Sequence, residues 1–329
     1  MDKAKINNET THGNLGLEKV LKDMAEELRP STFGKTRYVI PSGDASPFQQ
    51  GPDHHYVDFA KANQEIYSDG TYKVYTTLSA AVSAADEYDT IIVAPGLQTI
   101  TSTIEITKNG LRILGVQPTI YSQASTIKCA TGTEEIFLIK ANRVEIAYLS
   151  LSERVASKAI AIGDTAGQAY YQIYIHDCNF DAYSTALYGI APGNMTDANN
   201  SHVDPVNLVV ENCIFNGFQT AAIVANGTRD AYVKNTIFVP NSGVGIIADK
   251  HTDSRFYGII RDNLIVGTGT TDTGIQVTDV GSAAGLYAIV DNTIQGCATT
   301  ITTQTYLQGG GNETLAGATG TRTAIDIVT

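Results

Sequence analysis

The chain has no tryptophan among its 329 residues, only four cysteines, and only 17% charged side chains. It has no long hydrophobic run either. Each shortage excludes something. No window approaches 18 apolar residues, so no transmembrane helix is expected. No apolar stretch follows Met-Asp-Lys-Ala-Lys-Ile-Asn-Asn-Glu at the start, so no secretory signal peptide is expected and synthesis in a cytoplasm is. Lys and Arg form no cluster and the net charge is -12; an acidic surface without basic runs speaks against nucleic acid and anionic membranes as partners. Cys129, Cys178, Cys213 and Cys297 lack the paired spacing of a zinc site and read as small apolar residues. The absence of tryptophan counts against a saccharide cleft, which usually stacks sugars on large aromatic faces.

What is present is a repeated phrase. Ile175-His-Asp-Cys-Asn-Phe180, Val210-Glu-Asn-Cys-Ile-Phe215, Val233-Lys-Asn-Thr-Ile-Phe238, Ile260-Arg-Asp-Asn-Leu-Ile265 and Val290-Asp-Asn-Thr-Ile294 follow one another, preceded by Ile146-Ala-Tyr-Leu-Ser-Leu151. Aligned by their polar residues, they place Asp177, Asn212, Asn235, Asn263 and Asn292 in one column, with Tyr148 ahead of them. Successive members lie 29, 35, 23, 28 and 29 residues apart. A strand-plus-turn unit at irregular spacing marks a solenoid with insertions in its loops. Stacked amides can hydrogen-bond between coils, so this column reads as a structural ladder. Cys178 and Cys213 share the neighbouring column and are expected on adjacent coils.

The fold class is therefore all-β: a right-handed single-stranded parallel β-helix (solenoid) with a short N-terminal helical arm. Residues 1–32 form the arm, whose helix over 16–29 carries Leu17, Val20, Leu21, Met24 and Leu28 on one face. That face reads as a docking surface. Residues 33–76 hold a leading strand and a loop region. The parallel β-helix runs over 77–305, opening with a cap helix on Leu78, Ala81, Val82 and Ala85. Residues 306–329 form a Gly- and Thr-rich tail.

Several constellations are weighed against ordinary solvation. Asp249, Asp253 and Arg255 could supply acid, base and cation in one loop, but solvated turn chemistry accounts for them, so no catalytic residue is assigned. His176-Asp177 falls in a column expected to face inward. Tyr170, Tyr171, Tyr174, Tyr183 and Tyr188 crowd one coil and suit either an interface or a glycan contact. His54 and His55 beside Asp53 and Asp58 lack further ligands, so no metal is expected. Gly243-Val-Gly-Ile-Ile-Ala248 continues as a strand, which discards a dinucleotide site. No cofactor is implied.

The stretch Thr77-Leu-Ser-Ala-Ala-Val-Ser-Ala-Ala-Asp-Glu-Tyr-Asp-Thr-Ile-Ile-Val-Ala-Pro-Gly96, with Ile113-Leu-Gly115 and Tyr38-Val-Ile-Pro-Ser-Gly-Asp44, resembles the start of pectin-lyase-like right-handed parallel β-helices. Their Trp-Ile-Asp-His and Arg-x-Pro-x-x-Arg phrases are missing. Without these, the chain looks similar to β-helix proteins of tailed bacteriophage particles. That resemblance implies a non-enzymatic virion protein, a head fibre or capsid decoration or a tail-associated spike. It further implies a homotrimer, contacts to other virion proteins through the arm, and a possible polysaccharide ligand. A carbohydrate-active enzyme, such as a tailspike-type depolymerase or polysaccharide lyase, is the alternative, and a glycan-binding adhesin module the third reading.

Overall fold

The computed structural model describes residues 34–41, 70–116, 124–130, 135–152, 158–164, 168–182, 186–193, 204–225, 231–241, 243–249, 257–268, 271–278, 286–302, 307–310, 312–316 and 321–325. Met1–Lys35 separates from Thr36–Thr329 as its own unit, and the arm face of Leu17, Val20, Leu21, Met24 and Leu28 lies outside the described residues.

Among the described residues of the second unit lie three sheets of eleven, ten and eight strands, parallel but for one pair and called here sheets 1, 2 and 3. Between Thr90 and Thr302 the chain visits sheet 1, then 2, then 3, eight times in succession. Each strand pairs with the strand one coil away, which makes an all-β parallel β-helix. Parallel crossovers take the right-handed sense. Leu307–Gly310 and Asn312–Ala316 add one more strand to sheets 1 and 2, within the stretch expected as a tail. Thr321–Ile325 then folds back antiparallel on Asn312–Ala316.

In-register stacking places each residue over its counterpart, so every level demands a similar residue. Inside sheet 1 the stack is Ile113, Ile146, Ile175, Val210, Val233, Ile260 and Ile289. Inside sheet 2, Phe180, Phe215 and Phe238 stack nearly parallel, at 4.3 and 5.3 Å between ring centroids. Sheet 3 approaches these rings closely at one glycine. Gly189, in the strand Tyr188–Pro192, is that residue: a Cβ there would lie 2.5 Å from the Ala222 carbonyl oxygen and 2.8 Å from the Phe215 ring.

The open N-terminal end of the core is closed by α1, Leu78–Ala84. Thr77 caps it, accepting from the Ala80 N–H at 3.2 Å, and the Gln98 side chain accepts from the Leu78 N–H at 2.8 Å. Leu78, Ala81 and Val82 are buried against the first coil. Thr36–Val39 and Val74–Tyr75 extend sheet 1 beyond that coil. Beneath them the Arg37 side chain is fully buried. Its Nε donates to Asp89 Oδ2 at 2.7 Å and its Nη1 to the Tyr75 hydroxyl at 2.8 Å. Burial works against the charge, but Asp89 and Tyr75 outweigh it and hold the guanidinium above its ordinary pKa.

The amide column is corrected by the structure. The corner between sheets 1 and 2 holds two residues per coil, and they do different work. The first has positive φ: Tyr148, Asp177, Asn212, Asn235, Asp262 and Asp291, at 50–58°. Asn and Asp tolerate this left-handed conformation better than other non-glycine residues, because their short side chains bond locally. The second residue turns inward: Leu149, Cys178, Cys213, Thr236, Asn263 and Asn292, all at 2% relative exposure or less. Asp177, Asn212 and Asn235 therefore belong to the outer column, and only Asn263 and Asn292 to the inner one. The pairing of Lys234 with Arg261 and of Arg261 with Val290 fixes this register.

The inner column does one job with three chemistries. Asn292 Nδ2, Thr236 Oγ1, Cys213 Sγ and Cys178 Sγ each donate to the carbonyl two residues back, at 3.0, 2.9, 3.3 and 3.2 Å. Asn292, Asn263, Cys213 and Cys178 also reach the carbonyl of the inward Ile or Val one coil earlier, namely Ile260, Val233, Ile175 and Ile146. Asn292 Oδ1 accepts from Asn263 N at 3.2 Å, and Asn263 Oδ1 from Thr236 N at 3.0 Å. All four cysteines are free thiols. Burial, with Cys178 adjacent, pushes the Cys213 thiol well up in pKa.

A second left-handed column, absent from the sequence reading, runs along sheet 1: Tyr88, Gly110 and Arg143 precede their strands, and Gln172 and Asn207 fall inside the strands Ala169–His176 and Asp204–Glu211. Beside it Asn109 and Asn142 form a short ladder, accepting from Asn142 N and Tyr171 N at 2.9 and 2.8 Å.

Candidate functional site

Side chains alternate across a strand, so the residues flanking the inward Ile and Val column of sheet 1 face out. One outward column runs Arg112, Glu145, Tyr174, Val209 and Tyr232. The other runs Ala147, His176, Glu211, Lys234 and Arg261. These two columns bring Arg112, Glu145, Tyr174, His176, Glu211, Lys234 and Arg261 onto one face. His176 belongs to them, so its expected inward direction is corrected. The inward side chain on that strand is Ile175, one position earlier.

The groups are joined from coil to coil. Arg112 Nε donates to Glu145 Oε2 at 2.5 Å. Glu145 Oε1 lies 3.1 Å from His176 Nε2, and Asp177 Oδ2 lies 2.7 Å from His176 Nδ1. The Tyr174 ring stacks on the imidazole at 4.1 Å, and the Tyr148 ring meets it edge-on at 5.5 Å. Those two rings leave His176 only 8% exposed. The Tyr174 hydroxyl donates to Glu211 Oε2 at 3.2 Å, and Lys234 Nζ pairs with Glu211 Oε1 at 3.0 Å.

The electrostatics follow from this pairing. Burial pushes the Glu145 carboxyl up, but hydrogen bonds from Arg112 and His176 outweigh it and hold the group below the ordinary glutamate range. Glu211 is likewise pushed up by burial and brought below that range by Lys234 and Tyr174. Burial, then the charge and hydrogen bond of Glu211, pushes the Tyr174 hydroxyl up to about 12.

The signs give two pH windows. A carboxylate held below its unfolded pKa stabilises the fold above that value, and the contribution is lost as pH falls through the folded one. Acid unfolding should therefore set in below about pH 4.3, the ordinary glutamate value. A Glu145→Gln, Glu211→Gln double variant should be less stable at neutral pH and show a shallower acid limb in urea titrations at stepped pH. Tyr174 has the opposite sense: its contribution is present below about pH 10, the ordinary tyrosine value, and lost as pH rises toward about 12.

General acid–base catalysis needs a group free to exchange a proton with a substrate. Here both imidazole nitrogens face carboxylates, and Glu145 and Glu211 are each held by two donors. The arrangement cross-links coils; it does not present an open acid and base. Among the described residues no cluster of three or more His, Cys, Asp or Glu side chains could hold a metal ion, and no helix is long and apolar enough to cross a membrane.

The other sequence candidates are dispersed. Asp249 ends the strand Val244–Asp249 opposite Thr278, while Asp253 and Arg255 lie outside the described residues. Tyr170 is buried, with its hydroxyl 2.6 Å from Gln168 Oε1. Tyr171 is 48% exposed, Tyr174 covers His176, and Tyr188 packs with Ala191, Ala221, Val224 and Ile247 on sheet 3. Tyr183 lies outside the described residues. Among the described residues the tyrosines thus form no single platform. The charged network escaped sequence reasoning, although its signal was there: the second residue of four successive phrases reads His176, Glu211, Lys234, Arg261, an ordered mix of charges rather than a solvated scatter.

No family model matches the chain, and no curated protein matches it in sequence. Solved structures similar in the course of the chain include a rhamnogalacturonan lyase, at TM-score 0.43 and 11% identity over 83% of each chain. A pectate lyase follows at TM-score 0.41 and 12% identity, covering 87% of this chain and 78% of that one. An alginate lyase from Paenibacillus sp. str. FPU-7 has TM-score 0.38 and 14% identity, covering 72% of this chain and 92% of that one. The chemistry of this chain rests on its own residues.

Proposed function

We propose that the chain is a non-enzymatic structural β-helix of a tailed-bacteriophage particle, a head fibre, capsid decoration or tail-associated spike. The observation that carries the non-enzymatic part is the saturated network on sheet 1: Arg112, Glu145, His176 and Asp177 on one side, Tyr174, Glu211 and Lys234 on the other, each acid already held by partners of the same chain. Such a surface ties neighbouring coils to one another. Support for the particle comes from the sequence resemblance. In this reading the face of Leu17, Val20, Leu21, Met24 and Leu28 anchors the chain to other virion proteins, and exposed residues such as Tyr171 contact host-surface glycan.

Two measurements test this reading. Imaging purified particles with an antibody to this chain should locate it at a fixed site. Incubating the protein with host capsule, lipopolysaccharide and pectic polymers should leave chain length unchanged, with no new unsaturated ends. Shortened polymer, abolished by Asp249→Asn with Asp253→Asn or by Glu145→Gln, would replace the structural reading with the depolymerase one.

A further inference from the structure

Cys178 and Cys213 hold the same inward corner position on successive coils. The register is fixed on both sides of that corner: His176 lies opposite Glu211 in sheet 1, and Asn179 opposite Ile214 in sheet 2. The two cysteines are therefore direct neighbours on parallel strands, whose spacing is about 4.8 Å. A disulfide spans Cα atoms roughly 4.4–6.8 Å apart. Both side chains are buried, at 2% and 1% exposure, and both are free thiols. Their sulfurs take the same posture. Cys178 Sγ lies 3.2 Å from the His176 carbonyl oxygen, and Cys213 Sγ lies 3.3 Å from that of Glu211.

A thiol is a weak hydrogen-bond donor. The next three coils fill this position with Thr236, Asn263 and Asn292, so two thiols in succession bond the carbonyls less well than the residues that follow them. What stacked thiols can do, and an amide or a hydroxyl cannot, is join. We propose that Cys178 and Cys213 are a redox-sensitive tie between the fourth and fifth coils, open as thiols in reducing surroundings and closed as a disulfide in oxidising ones. The step between them is 35 residues, the longest of the five between successive phrases, and a bond that closes a longer loop takes more freedom from the unfolded chain. When the Cys213 sulfur turns away, the Glu211 carbonyl keeps the Asp177 N–H at 3.0 Å.

The oxidant is a small-molecule disulfide such as that of glutathione. One cysteine sulfur attacks it as the thiolate; a glutathione thiol leaves and a mixed disulfide forms. The other cysteine sulfur then displaces the second glutathione. Two protein thiols are oxidised, one small disulfide is reduced to two thiols, and both protons pass to those. Burial keeps the Cys213 thiol protonated, so the folded pair reacts slowly and the tie closes while the corner is open, in folding or in local unfolding. The inference is independent of the proposed function, because it concerns any solution of the chain.

The test uses the full chain, unfolded in urea and refolded in an oxidising glutathione buffer, so that both sulfurs meet oxidant before they are buried. Alkylation after denaturation should then count two thiols in place of four, and chymotryptic digestion should release the Cys178 and Cys213 peptides joined. The oxidised protein should unfold at a higher urea concentration than the reduced one, and a reducing agent should reverse the gain. Cys213→Thr, which keeps a donor of the kind used at Thr236, should give no joined peptides and a urea midpoint indifferent to redox state. Four thiols after oxidative refolding, a bond that uses Cys129 or Cys297 instead, an oxidised form no more stable than the reduced one, or a redox-dependent midpoint retained by Cys213→Thr would overturn the proposal.

Discussion

Replacing Arg37 by Met should destabilise the N-terminal end of the solenoid by about 3–5 kcal/mol, the usual cost of removing one partner from a buried ion pair. Asp89 is fully buried, and beyond Arg37 it holds the Asp86 N–H at 2.9 Å. Without the guanidinium its charge loses the cation that faces it. The effect should be local as well as large, since stability in stacked repeats is carried by neighbours. Hydrogen exchange should quicken over residues 70–94 and change little beyond the sixth coil. The double variant Arg37→Met, Asp89→Asn should recover most of the loss. It removes both charges and keeps an acceptor for Asp86. If the single and double variants were equally unstable, packing of the Arg37 stem rather than the ion pair would be the cause.

The second large effect separates the two corner columns. Asn263→Ala removes the acceptor of Thr236 N and the donor to Val233 O, and it leaves Asn292 Oδ1 without one of its donors. Each buried group left unpaired costs about 1–3 kcal/mol, so the urea midpoint should fall sharply at unchanged slope. Asn235→Gly should stay near the parent. Asn235 is exposed and holds φ at 51°, a conformation glycine adopts without strain. Asn235→Ala falls between them, paying only the left-handed penalty of about 1–2 kcal/mol. A large loss at Asn235→Gly together with a small one at Asn263→Ala would return the ladder to the column read from sequence.

Those two residues show where sequence reading stops. Both corner positions favour Asn, one for a left-handed backbone and the other for a buried amide. By letter alone Asn235 and Asn263 are indistinguishable. At the inner position Cys178, Cys213 and Thr236 disguise the equivalence further, because a thiol, a hydroxyl and an amide can all donate to the same carbonyl.

The sequence by itself determined the architecture. A repeated Ile-x-Asx phrase with alternating apolar residues has one economical burial, a stack in which each phrase covers the last, and the cap helix and Pro-Gly strand end mark where it begins. Tertiary structure alone decided which polar residues meet. Arg112, Glu145 and His176 are 33 and 31 residues apart, and their contact depends on loop lengths that vary from coil to coil, so no local pattern encodes it. Burial of Arg37 needed the same closure: its partner Asp89 lies 52 residues away and is brought back by the turn at Tyr88 after α1. Ile214, Ile237 and Leu264 are outward by alternation in each strand, but they become one exposed stripe only when in-register stacking lines up three coils.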